Sequence, residues 1–257
     1  MRIARLAAAS CFFAAIFGVA SVSRAAPPQP VNVLLVGDSL SVGPFGSAMH
    51  SLLSRSFGEG KVCLFASCGS SPEDWLPGPV FVTKCGYRQI TPSGSQLYDY
   101  GSGGRPRSVK TPKLRTIAAN YNPEFVIVQL GTNWMDGLAA GGVPDGDRYK
   151  KIIGDFIREL RRGQPPRAIF WVLPPASSKY PVRVHAAVEQ WINELARAMG
   201  FYTINSRQIT GGYRAGRSGG DGVHYSDEAG RRWAAGVFRK FLTSVRTLSL
   251  APAPADR

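Results

Sequence analysis

Three short segments of the chain carry side chains suited to acyl-transfer chemistry. Gly37-Asp38-Ser39-Leu40-Ser41 directly follows a β-rich apolar run, Val31 to Val36, and leads into a helical pattern. A serine at such a strand-to-helix turn presents its hydroxyl at the rim of a sheet, beside the first N–H groups of a helix. That placement suits both nucleophilic attack and oxyanion stabilisation. Capping of the helix by Asp38 or Ser39 accounts for the same residues equally well. Gly131-Thr132-Asn133 follows a second apolar run, Phe125 to Leu130, and the Asn133 amide could donate to a developing oxyanion, although Gly and Asn are also ordinary turn residues. Asp221-Gly222-Val223-His224 lies in a glycine-rich loop ahead of the last helical pattern. An Asp and a His so spaced on a turn can share a hydrogen bond that fixes the imidazole tautomer, leaving the other ring nitrogen to take a proton from a serine. The other two histidines, His50 and His185, fall within helical patterns and read as surface or packing residues.

The elements that must position these residues alternate. Apolar runs at Val31 to Val36, Val62 to Ala66, Phe125 to Leu130, Ala168 to Leu173 and Phe201 to Ile204 predict five buried strands. Helical periodicity predicts helices over about Phe45 to Leu53, Pro112 to Asn120, Asp147 to Arg161, Val182 to Met199 and Asp227 to Val245. Strand and helix in turn argue for one parallel sheet with helices on both faces, and ligands collect at the strand ends of such sheets. Thr111-Pro112 and Ser226-Asp227-Glu228 read as helix starts. Gly69 to Lys110 is rich in Gly, Pro and Ser with little periodicity, and is expected to be a long ordered loop whose aromatics, Trp75, Phe81, Tyr87, Tyr98 and Tyr100, pack over the sheet edge.

The blocks GDSL at 37 to 40, the glycine of Cys68-Gly69-Ser70 after the second strand, GTN at 131 to 133 and DGVH at 221 to 224 occur in the order of the four blocks of the SGNH (GDSL-type) hydrolase family, each at a predicted strand end. The chain resembles that family over about residues 31 to 245. The resemblance implies a flavodoxin-like three-layer α/β/α sandwich with a five-stranded parallel sheet. It implies Ser39 as nucleophile, His224 as general base and Asp221 as the residue orienting it, with an oxyanion hole from the N–H groups of Ser39 and Gly69 and the Asn133 amide. It implies an esterase that needs neither metal nor organic cofactor. The Gly69 block departs from the family pattern in carrying Cys68 before it and Ser70-Ser71-Pro72 after it.

Arg2 and Arg5, the apolar stretch Leu6 to Ala20 and the small residues up to Ala25-Ala26 have the pattern of a secretory signal peptide over residues 1–25. The apolar stretch falls short of the roughly 20 residues of a spanning helix. Export would leave Cys63, Cys68 and Cys85, with a Cys68–Cys85 disulfide stapling the Gly/Pro-rich loop and Cys63 in a buried strand. These cysteines have neither the spacing nor the histidine of a zinc site.

The formal net charge of +14 comes from 31 Lys and Arg against 17 Asp and Glu, in a chain with 19% charged residues. Without the three signal-segment arginines it is about +11. Scattered basic residues, the lack of a nucleic-acid motif and the expected export argue against nucleic acid as the partner. The charge instead suggests an anionic envelope surface that steers substrate or retains the protein peripherally.

A periplasmic or secreted hydrolase domain over residues 31–247, followed by a disordered tail over 248–257, is the expected organisation. Its first expected substrate is an O-acylated, above all O-acetylated, glycan. Trp75 and Trp134 are candidate stacking surfaces for sugar rings, with core packing the competing role. Lipid esters (lipolytic esterase or lysophospholipase) and acyl transfer to a sugar hydroxyl use the same triad. A non-catalytic binder of an anionic envelope polymer is the alternative of another class.

Overall fold

The computed structural model describes residues 32–99, 108–143 and 145–250. Residues 1–25, where a signal peptide is expected, Tyr100 and residues 251–257 lie outside the described residues. In chain order the elements are β1 (Val33–Gly37), α1 (Ser39–Val42), α2 (Pro44–Phe57), β2 (Val62–Ser67), a 3₁₀ turn (Pro72–Trp75), β3 (Val82–Thr83), β4 (Gly86–Thr91), β5 (Gly94–Asp99), β6 (Val109–Lys110), α3 (Leu114–Tyr121), β7 (Phe125–Gln129), α4 (Trp134–Gly141), α5 (Asp147–Leu160), β8 (Ala168–Val172), α6 (Val182–Met199), β9 (Tyr202–Ile204), α7 (Ser206–Thr210) and α8 (Asp227–Leu250).

The main sheet has seven strands in the order β5-β4-β2-β1-β7-β8-β9. The five expected strands are its parallel block, with Leu34 of β1 registered between Cys63 of β2 and Val126 of β7. The expected five-stranded count is corrected by the hairpin β4–β5, which pairs antiparallel to β2 and extends the sheet. It arises inside the segment read as a loop. The segment lacks an apolar strand pattern because Ser95 and Gln96 lie on the exposed edge strand and Arg88 and Gln89 on its partner are only half-buried. The Pro92-Ser93 pair between Thr91 and Gly94, which face each other in the ladder, is the turn signal that marks it.

The central strands β1, β2, β7 and β8 are buried on both faces, which is why they read as continuous apolar runs. On one face α2 packs against α8, and α7 against α8; on the other, α5 packs against α3 and α6. Phe45 of α2 stacks on Trp233 of α8 with ring centroids 3.8 Å apart, and Phe241 meets Phe125 and Phe170 of the sheet edge-on. The buried Trp233 also donates from Nε1 to Ser206 Oγ at 3.0 Å. Emptying that position with alanine costs about 3–5 kcal/mol.

Helix ends differ from expectation in two places. Lys113, not Thr111, precedes α3, because the Thr111 hydroxyl is drawn into a 2.6 Å hydrogen bond with Ser67. α8 continues to Leu250, so the first three residues of the expected tail are helical. Among the described residues no helix is long and apolar enough to cross a membrane.

Candidate active site

Ser39 is the first residue of α1, at the C-terminal end of β1. Asp38 caps that helix: its Oδ1 accepts the Leu40 N–H at 3.0 Å, and its own N–H donates to the Gln129 carbonyl at 3.2 Å. The capping role considered from sequence therefore belongs to Asp38, and the Ser39 side chain points elsewhere. Gly37 is required here because a Cβ would lie 2.1 Å from the Ser41 hydroxyl oxygen. That hydroxyl donates to Gln129 Oε1 at 2.7 Å and ties the turn to the end of β7. Asp38 is fully buried, and burial pushes its carboxyl up to about 7, against the opposing pull of the Leu40 N–H, the Gln129 and Thr132 side chains and the nearby imidazole.

The loop before α8 brings the other two residues to Ser39 across 185 positions of sequence. His224 Nε2 lies 2.8 Å from Ser39 Oγ, and His224 Nδ1 lies 2.5 Å from Asp221 Oδ2. Asp221 is fixed from its other oxygen, where Oδ1 accepts the N–H groups of Val223 at 2.9 Å and His224 at 2.7 Å. Burial works to raise the Asp221 carboxyl, but the hydrogen bonds from the His224 ring and these two N–H groups outweigh it and hold the pKa at about 2. An ionised Asp221 keeps the proton on Nδ1, so Nε2 faces the serine as an acceptor. Both side chains are open to solvent, with exposures of 50% for His224 and 55% for Asp221.

The third turn, after β2, places Gly69 in the left-handed region at φ +79°. Among the described residues the N–H groups of Ser39 and Gly69 make no hydrogen bond to the backbone, whereas that of Ser70 donates to Ser67 O at 3.1 Å. Asn133 Nδ2 donates one hydrogen to the Ser70 carbonyl at 2.8 Å, which ties the Asn133 side chain to the Gly69 turn and leaves the second amide hydrogen for another acceptor. Cys68 and Cys85 form a disulfide that anchors the same turn to the start of β4.

The two tryptophans considered as sugar platforms have a different place. Trp75 is fully buried and donates from Nε1 to Ser70 Oγ at 3.1 Å. Trp134 is 6% exposed, donates to Glu73 Oε2 at 2.9 Å and packs edge-on against Tyr149. Their faces are covered by protein, so they brace the Gly69 and Asn133 turns and offer no ring to substrate. Apolar surface near Gly69 comes instead from Phe81, whose ring reaches to within 3.7 Å of where a Gly69 Cβ would stand. The exposed Val80 and Val82 flank it.

Sequence reasoning missed the support of the His224 loop. Ser177 Oγ donates to the Gly222 carbonyl at 2.8 Å, Tyr213 OH to the His224 carbonyl at 3.0 Å, and Tyr225 OH to the Ala176 carbonyl at 2.6 Å. A serine and two tyrosines in irregular segments carry no spacing that announces such bonds. His50 and His185 stand apart from the triad geometry. Burial lowers the basicity of the half-buried His50, and that of His185, which is 3% exposed on α6, falls to about 4. Cys63 is buried in β2, and burial pushes its thiol up to about 12, which leaves it unreactive.

No family model matches the chain and no curated protein matches it in sequence. Solved structures do match in fold. A peptidoglycan O-acetylesterase aligns at 16% identity with a TM-score of 0.57, over 85% of this chain and 92% of its own. A carbohydrate acetylesterase from Sinorhizobium meliloti aligns at 15% identity and TM-score 0.54, over 83% and 99%. The lipase/acylhydrolase from Enterococcus faecalis aligns at 14% identity and TM-score 0.54, over 88% and 100%. The chain thus has the α/β/α fold of the SGNH (GDSL-type) acylhydrolases, the fold its four sequence blocks imply. Its particular chemistry is argued from its own side chains.

Proposed function

We propose that the protein is an exported serine esterase that removes a short O-acyl group, most simply acetyl, from a glycan of the cell envelope or its surroundings. Ser39 Oγ attacks the ester carbonyl while His224 Nε2 takes its proton, and Asp221 stabilises the resulting imidazolium. The tetrahedral oxyanion is held by the N–H groups of Ser39 and Gly69 and the second Asn133 amide hydrogen. His224 then protonates the leaving alcohol and an acyl-serine forms. Water, activated by the same imidazole, attacks the acyl-serine and regenerates Ser39.

The observation that carries this reading is the Ser39–His224–Asp221 hydrogen-bonded line at 2.8 and 2.5 Å, standing open at the surface. An open line is accessible to an ester displayed on a polymer, whereas a long acyl chain needs an enclosing apolar wall. The acetylesterases among the fold neighbours favour the same substrate class. The signal-peptide pattern and the disulfide support a periplasmic or secreted location. Phe81, Val80 and Val82 beside Gly69 favour, as a second reading, a lipid ester.

A hydrolysis panel of acyl chain lengths on sugar and glycerol alcohols tests the proposal. Activity should be highest for acetyl, fall with chain length, and drop by several orders of magnitude in Ser39→Ala with the fold retained. A preference for long acyl chains would favour the lipid reading, and near-native turnover by Ser39→Ala would remove both.

A further inference from the structure

A cavity of about 520 Å³ opens between α2 and α8 and is lined by three arginines, Arg55, Arg88 and Arg231, against one carboxylate, Asp227. None of Ser39, Asp221 and His224 lines it, but its wall joins the proposed triad through the backbone at two points. Gly43, in its wall, donates its N–H to the Ser39 carbonyl at 3.1 Å, and Asp227 lies three residues beyond His224. The arginines come from separate elements. Arg88 reaches in from β4, its Nε donating to the Val42 carbonyl at 2.7 Å, while Arg55 Nε donates to Ser51 O at 3.2 Å along α2. Arg231 pairs with Asp227 at 3.4 Å, but the two side chains are 69% and 77% exposed. A pair so open to water contributes little and yields readily to a competing anion.

In the loop that leads to His224, Arg214 and Arg217 are exposed and form no salt bridge among the described residues. Their loop is tied to the site by Ser226 N–H donating to the Ser218 carbonyl at 2.6 Å. Guanidinium forks match carboxylate and phosphate oxygens. The remaining wall mixes hydroxyls (Ser47, Ser51) with small apolar surface (Ala48, Leu52), as a sugar ring requires. Among the described residues the exposed large apolar side chains, Val80, Val82, Leu97, Val143, Val182 and Tyr202, all lie outside this groove, so its described lining carries no projecting apolar residue of the kind that inserts into a lipid surface.

We propose that the α2–α8 groove is a subsite for a carboxylate- or phosphate-bearing segment of the glycan, so that Ser39 acts on O-acyl esters of an acidic polysaccharide in preference to a neutral one. This rests on the esterase reading above and narrows its substrate.

The test compares wild type with the double variant Arg55→Gln/Arg231→Gln on O-acetylated polygalacturonate, O-acetylated xylan and p-nitrophenyl acetate. The ratio of kcat/KM on the acidic polymer to that on xylan should exceed one in wild type and fall about tenfold in the variant, through KM. The wild-type KM for the acidic polymer should also rise more steeply between about 0.05 and 0.3 M salt than the variant's. In parallel, Ser39→Ala with and without the two substitutions is titrated with unacetylated polygalacturonate, where the substitutions should weaken binding about tenfold.

An unchanged substrate ratio together with unchanged binding overturns the proposal. So does a loss of binding to phosphatidylglycerol vesicles with polygalacturonate affinity intact. If none of the three esters is hydrolysed, the esterase reading fails, and the groove stands or falls on the titration alone.

Discussion

Asp38 and Asp221 are each within three residues of a side chain assigned to the chemistry, in two strand-end turns that the fold treats in opposite ways. The turn after β1 is sealed: Asp38 is fully buried, caps α1 with one oxygen, and is driven by burial up to about 7. The loop before α8 is open: Asp221 receives three hydrogen bonds, two of them from backbone N–H groups, and is held at about 2 despite the burial that works against it. The carboxyl next to the serine in sequence is thus a structural cap poised between its neutral and charged forms. The carboxyl far from it in sequence is the permanent anion a base requires. Proximity along the chain does not assign the role; the hydrogen bonds around each oxygen do.

The comparison breaks first at Asp221. Asp221→Asn leaves the turn's shape but permits the wrong His224 tautomer, and kcat should fall by up to about 10⁴-fold, read in steady-state ester hydrolysis. Asn133→Ala removes one of the three proposed oxyanion donors and should lower kcat by about 10²–10³-fold with KM little changed. Asp38→Asn keeps an acceptor for the Leu40 N–H and should change kcat/KM by less than about tenfold, while altering stability strongly. The Asp38 pKa is raised on folding, so the wild type loses stability as pH rises from about 4 through about 7. The Asn variant should lack that slope and be more stable at pH 7 by on the order of 2–4 kcal/mol in denaturant titrations, with the advantage gone below pH 4.

His185 gives the smallest effect and the opposite sign. Burial lowers its pKa to about 4, so the wild type loses stability as pH falls from about 6.5 to about 4. His185→Leu should abolish that loss, at most about 3 kcal/mol, in paired denaturation curves at pH 7 and pH 4.

The parallel block of the sheet and the main helices were legible in the sequence because strands buried on both faces read as unbroken apolar runs. The nearness of Ser39, Asp221 and His224 in space was expected from the strand-to-helix turn after β1 and the glycine-rich loop before the last helix, and the structure brings the three side chains within hydrogen-bond reach. The Cys68–Cys85 pairing agrees with the structure for a related reason, since only the Gly/Pro-rich segment needed a staple. The β4–β5 hairpin was not legible: β5 is exposed and much of β4 is only half-buried, so polar residues stand where a fully buried strand would carry Val or Ile. The roles of Trp75 and Trp134 were not legible either, because an indole that braces a turn through Nε1 and one that stacks on a sugar have the same local sequence. The hydrogen bonds to Ser70 and Glu73, made at separations of 5 and 61 residues, distinguish them.

The central claim is that Ser39 is a nucleophile activated by His224. It is tested most directly by labelling the folded protein with a serine-directed phosphonate and locating the adduct by mass spectrometry. The account predicts one adduct per chain, on Ser39, with labelling slowed strongly in His224→Ala and Asp221→Asn. Folded protein that hydrolyses acetyl esters with no adduct, or with an adduct on another residue, would contradict it.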